Sequence, residues 1–128
     1  MRLLLDTHAF LWWLSGDGAL SVRAREAIAD AANEIFVSAA SAWEIATKHR
    51  IGKLPGVAVI VADLDRAISD QGFHGLPIGV RHGQIAGALP GARRDPFDRM
   101  LIAQAMEETL ALVSNEQIFD TFAVARLW

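Results

Sequence analysis

Four acidic residues in this 128-residue chain fall where carboxylates do chemistry: Asp6, Glu44, Asp98 and Glu116. Asp6 directly follows the apolar run Leu3-Leu4-Leu5. Glu44 lies early in the helical segment after Ile35-Phe36-Val37. Asp98 sits in the first turn of a helix opened by Pro96, and Glu116 follows Leu110-Ala111-Leu112-Val113 by three residues. Clustered carboxylates repel and stay ionised together only around a cation. An all-oxygen, partly hydrated donor set suits Mg²⁺ or Mn²⁺. A divalent ion held this way activates water and stabilises charge on a phosphoryl group, which is metal-assisted phosphodiester hydrolysis.

Each acid also has a plainer reading. Ser41-x-x-Glu44 fits a capping box, in which Glu44 serves its own helix. An acid at the position of Asp98 is favoured by the helix dipole alone, and Asp95 before Pro96 reads as an N-cap followed by the first helical residue. Asp6 resists such a reading, because an acid abutting an apolar strand is costly unless paired or liganded. Glu116, within Ser114-Asn115-Glu116-Gln117, reads locally as part of a polar turn.

Other chemistries fit less well. The absence of cysteine excludes disulfides, thiolate metal sites and a Cys nucleophile. His8, His49, His74 and His82 have no zinc-site spacing, and Ser38 and Ser41 lack a Gly-x-Ser-x-Gly setting. No glycine-rich phosphate loop is present. A phosphatase or receiver-type aspartyl-phosphate site needs a second acid near the first, and Asp6-Thr7-His8 does not supply it.

The elements that must position these acids alternate along the chain. Leu3–Leu5, Ile35–Val37, Leu76–Ile78, Leu110–Val113 and Ala123–Ala125 are strand candidates. Runs that are apolar on both faces suit central parallel strands covered by helices. Helices are expected over Ala9–Leu14, Val22–Ala32, Ala39–Ile51, Val59–Gln71, Arg81–Leu89 and Pro96–Thr109. The alternation predicts one α/β domain over residues 1–128, a parallel sheet of about five strands between helical layers. Ligands of such sheets bind outside the carboxyl ends of the strands, the edge to which all four acids belong.

Composition agrees with a packed domain: 52% of residues are hydrophobic and 21% charged, too apolar for a disordered chain. The net charge of −3 lacks the strongly basic footprint of a non-specific nucleic-acid binder, so any such contact relies on local basic patches. Thr7–Gly16 is uncharged but stops at Asp17, short of the roughly 18 apolar residues of a membrane span. Asp6 cuts off the apolar start before it reaches signal-peptide length. With no cysteine, a cytoplasmic location is expected.

Four segments together resemble the PIN-domain ribonucleases, and within them the VapC-type toxins of toxin–antitoxin systems. They are LLLDTHAFLWWL at 3–14, VSAASAWEIATKHRIGKL at 37–54, RDPFDRMLIAQA at 94–105, and LVSNEQIF through the terminal RLW at 112–128. The resemblance implies a PIN-like α/β/α sandwich, Mg²⁺- or Mn²⁺-dependent endonucleolytic cleavage of RNA, and inhibition by a small cognate antitoxin. It also implies a homodimer or a toxin–antitoxin hetero-oligomer. A catalytically inactive PIN-like RNA-binding or interaction module is the alternative.

Motif by motif, Asp6, Glu44 and Asp98 resemble the family's metal-binding acids. Glu116 stands where the family usually has an Asp two residues after a Thr; here Ser114 replaces the Thr and the acid is one methylene longer. Arg93 stands where the family often has a His. Lys48, Arg50, Lys53, Arg93, Arg94 and Arg99 are placed to meet an RNA backbone, or to form solvated helix faces. Phe10 to Leu14 is apolar all round, so part must be core; the remainder, around Trp12 and Trp13, is expected to form a partner surface.

Overall fold

Alternate residues of Leu3-Leu4-Leu5 serve two different cores. Leu3 and Leu5 pack with Phe10, Ala24, Ile35, Val37, Ile45 and Val113 on one face of the sheet. Leu4 packs with Leu101, Ile102, Leu112 and Phe119 on the other. A strand covered on both faces has no solvent side to mark with polar residues, which is why the run is uniformly apolar. The computed structural model describes residues 1–91 and 95–128.

Five strands, β1 (Arg2–Leu5), β2 (Glu34–Ser38), β3 (His74–Leu76), β4 (Ala111–Val113) and β5 (Arg126–Leu127), form one sheet in the order β3-β2-β1-β4-β5. Every pairing is parallel, with Leu5 opposite Val37 on one side and Val113 on the other. Among the described residues seven α-helices join or flank the strands: α1 (Thr7–Ser15), α2 (Val22–Ala29), α3 (Ala39–Arg50), α4 (Ala58–Val61), α5 (Leu64–Asp70), α6 (Val80–Ala88) and α7 (Pro96–Glu108). The chain runs outward from β1 to β3, then returns to place β4 on the opposite side of β1. The order therefore reverses between β1 and β4, and the carboxyl ends of that pair form the crevice where doubly wound sheets bind ligands. None of the described helices is long and apolar enough to cross a membrane.

Several elements differ locally from the sequence expectation. The helix expected over Val59–Gln71 is two helices, because Asp63 leaves the helical conformation, with φ −155° and ψ 84°, and caps α5 by accepting the Arg66 N–H at 3.0 Å. The third strand ends at Leu76, before Pro77, which has no N–H to donate to a ladder. The last strand lies beyond Ala123–Ala125, at Arg126–Leu127. Helix α7 stops at Thr109, whose left-handed φ of 55° turns the chain into β4.

Candidate active site

Asp6 is the single residue between β1 and α1. Its Oδ1 accepts the Ala9 N–H at 2.8 Å, so it caps α1 while lying at the reversal point of the sheet. The side chain is 6% exposed. Burial pushes its carboxyl above the usual carboxylate range; hydrogen bonds from Ser114 and Ala9 and the charge of His8 oppose that shift, and the nearby charge of Glu116 adds to it. Asp6 is thus a buried acid facing a second acid across the β1–β4 crevice.

The loop after β4 is fixed from two directions. The Glu116 N–H donates to the Ser114 hydroxyl at 3.0 Å, and that hydroxyl reaches Asp6. The Arg126 guanidinium donates to the Ser114 carbonyl at 3.0 Å and grips both oxygens of Asp120 at 2.8 and 2.9 Å. Arg126 holds the exposed Asp120 carboxyl below its ordinary range. A bidentate guanidinium pins the backbone that carries Glu116.

Glu44 does not belong to a capping box. The N-cap of α3 is Ser38, whose hydroxyl accepts the Ala40 N–H at 2.9 Å, and Glu44 lies one turn further in. Its side chain, 8% exposed, has a different partner on each oxygen. The Thr7 hydroxyl donates to Oε1 at 2.5 Å, and the Lys48 ammonium donates to Oε2 at 2.5 Å. Thr7 directly follows Asp6, so this bond couples α3 to the end of β1.

The fourth acid lies at the start of α7. Asp95 caps that helix, its Oδ1 accepting the Phe97 and Asp98 N–H groups at 2.9 and 3.1 Å. Capping therefore does not require Asp98, which lies half-buried one turn in. Arg99 donates to the carbonyls of Ala86 and Leu89 at 3.0 and 2.7 Å, clamping the end of α6 to α7. Arg93 and Arg94 lie outside the described residues.

Two sub-clusters result. Asp6, Ser114 and Glu116 meet at the β1–β4 crevice, while Glu44, Lys48, Asp95 and Asp98 interact between α3 and α7. Thr7 links them. Among the described residues no three His, Asp or Glu side chains yet converge closely enough to share an ion. The donor chemistry still fits a hard cation: oxygen donors only, with a buried carboxylate facing a like charge. Thr7 was not legible as a site residue; its one signal is a hydroxyl beside Asp6 in an otherwise apolar helix.

The aromatic segment is not a free patch. Trp12 and Trp13 are half-buried: Trp12 packs against His8 and Trp128, and the Trp13 indole N–H donates to Gln71 at 3.0 Å. The open apolar surface is next to them, a groove of about 340 Å³ between α1 and α4 lined by Leu11, Trp12, Leu14, Val57, Val59 and Ile60. Val59 is 89% exposed there.

A doubly wound parallel sheet with acids at its reversal point defines an α/β domain whose candidate site lies outside the carboxyl ends of its central strands. The chain belongs to the PIN-domain family, whose model matches residues 3–125. It is 28% identical over 117 residues to ribonuclease VapC22 of Mycobacterium tuberculosis, spanning 90% of this chain and 87% of that protein. Its fold is shared with a chain of the Rickettsia felis VapBC2 complex, solved bound to a DNA fragment from its promoter, with a TM-score of 0.72, 17% identity and full coverage of both chains. A chain of FitAcB from Neisseria gonorrhoeae matches with a TM-score of 0.62 and 18% identity, covering 97% of this chain and 95% of that one.

Proposed function

We propose that this chain is a Mg²⁺- or Mn²⁺-dependent endoribonuclease, the toxin of a toxin–antitoxin pair, acting in the cytoplasm as a single domain spanning residues 1–128. The observation that carries this reading is Asp6: an acid buried at the end of the central strand, facing Glu116, and joined through Thr7 to Glu44. Kinship to a protein named as a ribonuclease supports it.

Asp6, Glu44, Asp98 and Glu116 would hold the ion. When bound, a divalent ion supplies an activated water and offsets charge on the phosphate under attack. The chain's own residues build the rest. The Thr7 hydroxyl orients Glu44, Ser114 orients Asp6, and Arg126 holds the Glu116 loop in place. Lys48 meets Glu44 directly, Arg50 ends α3 and Lys53 follows that helix.

The solved relatives are toxin–antitoxin complexes, which supports a small antitoxin as partner. The α1–α4 groove, with Val59 unpartnered at its rim, is the surface offered to it. A homodimer or a hetero-oligomer with antitoxin is the expected assembly. Incubating the purified chain with RNA in Mg²⁺ or Mn²⁺ against EDTA tests the reading. Internal cleavage that EDTA abolishes is expected; RNA left intact in both ions would leave the inactive interaction module as the better description.

A further inference from the structure

Lys48 is more than the second half of a helix-surface pair. Its partner Glu44 is buried, and the Nζ–Oε2 separation is 2.5 Å. Exposed i,i+4 pairs join two flexible, hydrated side chains. Here one member is fixed in place, because the Thr7 hydroxyl holds its other oxygen. The ammonium also faces a second element: the charges of Asp95 and Asp98, from the start of α7, act on it together with Glu44. One monovalent cation with three donors therefore already stands among three acids.

That placement accounts for a feature of the site. The four acids border one sheet edge, yet among the described residues no three of them converge on a common point. Glu44 is directed to Lys48 instead. A divalent ion drawing Glu44 into its shell competes with the ammonium for Oε2 and repels it.

We propose that Lys48 is a built-in counter-ion of the acidic site, pairing with Glu44 in the metal-free protein and having to be displaced before a divalent cation can engage Glu44. This rests on the reading of the acidic edge as a metal site. Lys48 is then a positioning residue that sets the metal concentration at which the site assembles. Linkage makes the effect reciprocal: whatever strengthens the Lys48–Glu44 contact weakens the metal by the same factor.

The test is calorimetric titration of Mn²⁺ into metal-stripped wild type, K48Q, K48M and K48R, with D6N as the control that locates the ion. Loss of the competing charge should tighten Mn²⁺ binding by roughly fivefold or more in K48Q and K48M. K48R, which keeps the charge, should stay near wild type, and D6N should give little heat. Metal-free K48Q should melt below wild type, since Glu44 loses its counter-charge, and should gain more on Mn²⁺ addition. Two neutral variants guard against a packing defect in one. Binding to wild type with unchanged or weaker affinity in both neutral variants would overturn the counter-ion role and leave the metal site standing. No binding to wild type or to either neutral variant would overturn both.

Discussion

Replacing Thr7 with valine isolates the bond that joins the two halves of the site. Valine has nearly the same shape, so the change opens no cavity and removes one hydroxyl. That hydroxyl lies 2.5 Å from Glu44 Oε1 and 3.2 Å from Ser41 Oγ. It has a single proton, which the shorter contact claims, so Ser41 donates into the Thr7 oxygen. All three side chains are buried. Ser41 can turn to a carbonyl of its own helix, whereas Glu44 Oε1 is left facing a methyl group. A hydrogen bond to a charged, buried acceptor contributes about 1.5–3 kcal/mol. In a chain of this size, a loss of that order lowers Tm by about 5–10 °C. The assay is thermal melting in EDTA, so that metal does not obscure the effect, with T7S as the rescue. Serine restores the donor at the cost of one methyl and should recover most of the loss. A T7V protein melting within about 1 °C of wild type, or T7S melting as low as T7V, would refute the coupling.

Asp6→Asn keeps the N-cap acceptor and removes the charge. Burial raises the Asp6 carboxyl, so its ionised form costs stability above its folded pKa, and this cost is relieved as pH falls through that value towards the ordinary carboxylate range. Metal-free D6N should therefore melt at or above wild type at neutral pH, with the gap closing on acidification; a D6N protein less stable at neutral pH would contradict this. Val59→Glu should abolish capture of a cognate small antitoxin and leave RNA cleavage unchanged, as read by co-purification and a nuclease assay. Retained capture would move the antitoxin surface elsewhere.

The sheet was legible because its central strands are buried on both faces: Leu3–Leu5, Ile35–Val37 and Leu110–Val113 are continuous apolar runs. The edge strands were misplaced. At His74–Leu76 and Arg126–Leu127 one side of the ladder is unpaired, so side-chain hydrophobicity does not report the pairing. The position of each acid after a strand or early in a helix was legible too, and the N-cap role of Asp95 was correct. The Ser41–Glu44 capping box was a false alternative, because Ser38 starts the helix three residues earlier. What spacing cannot give is which neighbour each carboxylate selects. The Thr7–Glu44 bond joins residues 37 apart in sequence, and only the packing of α1 on α3 brings them together. The neighbours of the aromatic run were not legible either: Trp12 and Trp13 spend much of their surface on Trp128, Phe73 and Gln71.

The account's central claim is that the acids at the sheet reversal perform metal-dependent RNA cleavage. The most direct measurement is the cleavage rate of D98N against wild type on one RNA at saturating Mn²⁺. Loss of even a residue that merely orients a metal ligand typically costs about 10–100-fold, so loss of a ligand should cost at least as much while the melting temperature in EDTA stays near wild type. A folded D98N protein that cleaves at the wild-type rate would contradict the claim.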